Sequence, residues 1–135
     1  MNANKKQIVK EYLSGLQDRL CNVFGGEQKH LWDKHQWHRL EGGGGCSRVL
    51  TNGSIIEKAG INTSHIFGSM LPSSATEARP ELRGRSYEAM GLSLVIHPQN
   101  PYVPTAHANV RFFISEKSDH ETVWWFGGGY DLTPY

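Results

Sequence analysis

The stretch "IHPQNPYVPTAHANVRFF", residues 96–113, opens and closes as strand, breaks over Pro98, Pro101 and Pro104, and carries His97, His107 and Arg111. An imidazole titrates near neutral pH and moves protons, and a guanidinium grips a carboxylate through two parallel hydrogen bonds. His97 and His107 stand where the chain enters and leaves the proline loop. Such a loop is preset in φ and poor in N–H donors, so it holds two flanking imidazoles with little ordering entropy left to lose. The bland alternative is a stiffened crossover with two incidental histidines. Asn109 and Arg111 favour the chemical reading. In a strand, residues 107, 109 and 111 point to one face while Val110 and Phe112 take the other. His107, Asn109 and Arg111 then form a polar row of one proton-transfer group, one amide and one guanidinium, the set an organic acid needs. Ser93 lies four residues before His97 and shares its face, so the row widens if the two strands are neighbours. Farther on, "WWFGGGYDLTPY" places Asp131 after a triple glycine, where bare backbone permits close approach of a large planar ligand. An Asp before Leu-Thr-Pro is also a plain Asx-turn residue.

Other candidates carry less. The run Gly42 to Gly45 is followed by strand-like residues and no Lys-Ser or Lys-Thr, so it reads as a tight strand corner and not a phosphate loop. His30, His35, His38 and His120 lie in polar neighbourhoods and read as solvated. Cys21 and Cys46 fit no metal spacing, and a structural disulfide between them is not expected in a reducing compartment.

The elements that must position these residues follow from periodicity. Ile8, Val9, Tyr12, Leu13, Leu16, Leu20, Val23 and Phe24 recur at helical spacing, so residues 4–24 read as one amphipathic helix stopped by Gly25-Gly26. "HLWDKHQWHRLE" alternates with period two, as a half-buried strand does. Residues 46–50 and 54–66 read as two antiparallel strands joined at Asn52-Gly53, a hairpin dipeptide. "PSSATEARPELRGRS" is a polar interruption. "SYEAMGLSLVIHP", "HANVRFFISE" and "ETVWWFGGG" are three β-rich runs, with "KSDH" the hairpin tip between the last two. The fold class expected is α+β: a large antiparallel meander sheet flanked by helices, with an N-terminal amphipathic helix.

Composition sets the outer bounds. A chain of 135 residues makes one domain able to bury a core, and no repeat or linker suggests a boundary. Fifteen glycines and four tryptophans favour a sheet with sharp corners over a helical bundle. Fourteen Lys and Arg against thirteen Asp and Glu, without a basic block, give no pull toward nucleic acid or anionic lipid. No apolar run approaches the ~18 residues of a membrane span, and "MNANKKQIVKEYL" lacks the h-region of a secretory signal, so a cytoplasmic location is expected. No Gly-x-Gly-x-x-Gly opens a helix, so no organic cofactor is expected.

Taken together and in order, "EGGGGCSRVL", "EKAGINTSHIFG", "GLSLVIHPQNPYVPTAHANVRFF" and "WWFGGGYDLTPY" resemble the oxygen-dependent coproporphyrinogen-III oxidases of haem biosynthesis, over nearly all of Trp32 to Tyr135. The resemblance implies oxidative decarboxylation of two propionates of coproporphyrinogen III to vinyl groups, giving protoporphyrinogen IX with dioxygen as co-substrate. It implies a large antiparallel sheet covered by helices, and a homodimer. Carried over by position, the general acid/base falls on His107, a divalent-metal role on His97 together with His107, substrate contacts on Ser93, Asn109, Val110 and Arg111, and the aspartate that holds pyrrole N–H groups on Asp131. Cys46 and Asn62 depart from the family pattern beside the motifs. The chain stops at Tyr135 where family members continue for more than as long again, so residues 1–135 are expected to be the N-terminal part of a longer domain, inactive and marginally folded alone. Two other classes stay open: a metal-dependent dioxygenase using His97, His107 and a carboxylate as a facial triad, and a non-catalytic tetrapyrrole binder that keeps the Arg111 and Asp131 contacts.

Overall fold

In the computed structural model, which describes residues 3–26 and 32–134, the helical periodicity becomes α1 (Ala3–Gly25). It stops where expected: Gly26 turns left-handed at φ 51°, a conformation a side chain would resist. Leu13 and Cys21 are buried, and Val9, Leu16, Leu20 and Phe24 pack around them. Two details depart from a simple apolar stripe. Gln17 is buried, and its Nε2 donates to the carbonyl oxygens of Cys46 and Ile61, each at 2.9 Å. Ile8, Tyr12 and Val23 are exposed, because the apolar stripe is wider than the area of sheet that α1 covers.

Six strands follow: β1 (Trp32–His38), β2 (Gly43–Thr51), β3 (Ile56–Gly68), β4 (Ser86–Pro98), β5 (Thr105–Glu116) and β6 (Val123–Thr133). They form one antiparallel sheet in the order β1-β2-β3-β4-β5-β6, a strict meander. The α+β class therefore holds. The only long helix among the described residues is α1, and it packs over β3 and β4, on one face. Ile61, Met90, Leu92, Phe112 and Ile114 of β3, β4 and β5 meet it there and make the main core, with Leu50, Ala59 and Ile96 as its continuation.

Several boundaries differ from the sequence reading, each for a physical reason. The β2–β3 turn is longer than two residues: Asn52 is left-handed at φ 58°, Gly53 is not, and Asn52 N–H donates to Glu57 O at 2.9 Å. The glycine run divides. Gly42 and Gly43 make the corner with φ of 132° and 92°, Gly43 already pairing with Ile66, and Gly44 and Gly45 continue as strand residues paired on both sides. The polar interruption contains a short helix α2 (Ser73–Thr76) and a 3₁₀ turn (Pro80–Leu82), and it buries Leu71, Thr76, Leu82 and Arg85. Most important for the site, β6 does not end at its glycines. It runs through Gly127, Gly128 and Gly129 to Thr133, so Asp131 is a strand residue and not an Asx-turn residue. Lys117–His120 is the tip as expected, with Asp119 left-handed at φ 64° and His120 N–H donating to Lys117 O at 3.1 Å. His30 and Leu31 lie outside the described residues.

Candidate active site

Because side chains alternate between faces, α1 on one side of the sheet leaves the alternate residues on an open face. Register then aligns them in rows across the strands. One row runs His35, Ser47, Asn62, Ser93, Asn109, Gly129; the next runs Asp33, Val49, Gly60, Val95, His107, Asp131; a third runs Trp37, Gly45, Ser64, Gly91, Arg111, Gly127. Ser93 is the direct cross-strand partner of Asn109, and His107 that of Asp131. The polar row read from β5 alone is thus the middle of a polar surface several strands wide.

His107 and Asp131 face each other with Nδ1 to Oδ2 at 3.6 Å. This nitrogen is buried and has no hydrogen-bond partner among the described residues, while Thr133 Oγ1 donates to the same carboxylate oxygen at 2.7 Å. One ring nitrogen is therefore turned toward a carboxylate that a hydroxyl holds in place. The contact is longer than a hydrogen bond, a looseness common in active sites without ligand. Arg111 is exposed and makes no hydrogen bond or ion pair with any described residue, as a guanidinium waiting for an anion would be. Ser93, Asn109, Arg111 and Asn62 share the lining of a cavity of about 140 Å³ on this face.

Two expected site residues are placed differently from these. The Val110 side chain lies on the helix-covered face, beside Phe126 and Gly128 in a groove with Ile8 and Tyr12, and Val110 also borders the cavity lined by Ser93, Asn109 and Arg111. His97 lies on the open face one row beyond His107, beside Lys58, with Nδ1 3.4 Å from Thr105 Oγ1. It is exposed. Among the described residues no group of three His, Cys, Asp or Glu side chains is placed to hold a metal ion.

A family model described as coproporphyrinogen III oxidase matches residues 8–135. The chain belongs to the coproporphyrinogen III oxidase family. The polar face carries the guanidinium of Arg111, with the amide of Asn109 and the hydroxyl of Ser93 in the next row and the imidazole of His107 opposite the Asp131 carboxylate in the row after that. Among the described residues no helix is long and apolar enough to cross a membrane. Residues that reading the sequence missed are Asn62 and Thr133. The register brings them beside Ser93 and Thr105, and no count from the Lys117–His120 tip gives it: equal steps back from Lys117 and His120 would set His107 opposite Tyr130, one residue away from its true partner Asp131.

Proposed function

We propose that this protein oxidatively decarboxylates two propionate arms of coproporphyrinogen III to vinyl groups on the open face of the sheet, with dioxygen as oxidant and no organic cofactor. The observation that carries this is the register that sets His107 opposite Asp131 on the face shared with Ser93, Asn109 and Arg111. Arg111 grips a propionate through charge-assisted hydrogen bonds, and Ser93 and Asn109 orient it. Each arm loses CO₂ and, from the carbon next to the pyrrole, a proton and two electrons. The bond to the carboxylate breaks, its electron pair becomes the vinyl double bond, the proton passes to a base, and dioxygen accepts the electrons, leaving as hydrogen peroxide once protonated. His107 is that base, with Asp131 fixing its ring and stabilising the imidazolium that forms. The implied hold of Asp131 on pyrrole N–H groups gives way here to a role behind His107.

The experiment uses the protein from its complete reading frame. Arg111→Ala mainly raises KM and His107→Ala mainly lowers kcat, by 10²-fold or more for a general base. Formation of vinyl product requires air and is unchanged by added flavin or nicotinamide. Equal effects on KM and kcat from the two variants, or turnover under strict anaerobiosis, would refute the assignment.

A further inference from the structure

The open face holds more glycine than its backbone requires. Glycine inside a strand weakens it, and marks a close approach unless the fold itself needs the space. Gly45 has such a need: a Cβ there would run into the Trp37 indole and the Thr63 carbonyl oxygen. Gly91 is tight as well, its Cβ position 3.2 Å from Val110 O. Gly60 and Gly127 have no such reason. Neither has a positive φ; a Cβ at Gly60 would meet nothing closer than Asn62 Nδ2 at 3.8 Å, and one at Gly127 would meet nothing within 4 Å. Gly60 shares the row of His107, and Gly127 stands directly opposite Arg111. Between β1 and β5 the Arg111 row carries only Gly45, Ser64 and Gly91, and the Trp37 indole lies over Gly45, so this part of the face is low and edged by an aromatic ring. Trp37 borders it on β1 and lines the same cavity as Arg111. Four strand intervals separate the two backbones, about 19 Å, a span fit for a macrocycle with carboxylate arms and far too wide for a single small acid.

We propose that Trp37 is a substrate-positioning residue, offering its indole to a pyrrole ring of the macrocycle on a low polar face whose edges Gly60, in the His107 row, and Gly127, beyond Arg111, leave clear. This rests on the function proposed above. Arg111 fixes one arm, and Trp37 sets where the far side of the ring lies, so that the arm to be oxidised meets His107. Aromatic contact is tolerant of which ring is presented, which suits a substrate that must be turned between two decarboxylations.

The probe is coproporphyrin III, the stable fully oxidised ring. Trp37→Leu weakens its binding roughly tenfold and Trp37→Phe restores most of it, since an aromatic face is what the site needs. Gly127→Leu and Gly60→Leu weaken binding at least as much without lowering the melting temperature, because the first added carbon has room at each position and the rest of the side chain projects over the open face. In protein labelled with 5-fluorotryptophan, the Trp37 resonance, assigned by its loss in Trp37→Phe, shifts on saturation through the ring current of the probe, while that of Trp32 stays in place. This last readout holds even where Trp37→Leu folds poorly. An unmoved Trp37 resonance, or full affinity in folded Trp37→Leu and Gly127→Leu, overturns the inference. If Arg111→Ala still loses binding in that case, the function proposed above stands; if Arg111→Ala also binds normally, both fall.

Discussion

On the helix-covered face Ile61, Met90, Phe112 and Ile114 are at most 1% exposed, whereas one residue away on the same strands Asn62, Gly91 and Arg111 look the other way, uncovered by any described element. Beneath α1 the first face is apolar and buried, and the second is polar, glycine-rich and shallow. Stability and chemistry are therefore assigned to alternate residues of one strand. A substitution's effect should depend more on odd or even position than on distance from the site.

The largest test of that division is Phe112→Ala. It opens a cavity in the packed face and should cost about 3–5 kcal/mol in urea or thermal unfolding, whereas its neighbour Arg111→Ala should change stability by less than about 0.5 kcal/mol. A comparable loss from both would show that the open face also holds the fold. Next is Gln17→Ala, which removes the buried amide bridging two carbonyls of the sheet. A loss of about 1–3 kcal/mol is expected, and none at all would mean that α1 is held by its apolar residues alone.

The comparison extends to the thiols. Burial pushes the Cys21 thiol up from its ordinary pKa, outweighing the opposing influence of Arg48, and the side chain is enclosed between α1 and the sheet. Cys21 should resist alkylation in the native state while Cys46, only half-buried, reacts first. Mass mapping after brief iodoacetamide treatment reads the order, and faster labelling at Cys21 would mean that α1 lifts from the sheet.

The smallest expected effect is Lys6→Met. Lys6 Nζ lies 2.6 Å from Glu116 Oε1 and 3.4 Å from Glu88 Oε2. Burial alone would lower its pKa, but the hydrogen bonds and charges of Glu116 and Glu88 outweigh it and raise the value above 10.5. A cation with a raised folded-state pKa stabilises fully below its unfolded value and ceases to do so as pH rises through the folded one. The variant should therefore lose about 0.5–1 kcal/mol at pH 7, and the gap to the unmodified protein should close above about pH 10.5. A gap unchanged by pH would assign the effect to packing of the aliphatic stem.

Much of this architecture was legible because the signals were local. The helix could be read from Ile8 to Phe24, β4 residue by residue from Ser86 to Pro98, and the tip at Lys117–His120 from its turn chemistry. What failed was reading glycine as punctuation. In β6 the ladder to β5 carries the chain through Gly127–Gly129, since pairing on a neighbouring strand outweighs the weak preference of each glycine for turns. The face shared by His107, Asn109 and Arg111 was legible from period-two alternation, and the His107–Asp131 pair was not, because it depends on a register that no short window contains.

Each strand pairs only with its neighbours in sequence, and this has a bearing on how the protein comes into being. Contacts that bridge short stretches of chain form early and at low entropic cost, so hairpins can close one after another as a nascent chain leaves the ribosome. Asn62, Ser93 and Asn109 come together as soon as β5 has docked, and Trp37 is already in place. Asp131 arrives last. A chain halted before Val123 would carry Asn62, Ser93, Asn109 and the guanidinium of Arg111 but lack both Gly127 and the carboxylate opposite His107, so the polar face would be laid down before the pair at its edge is complete.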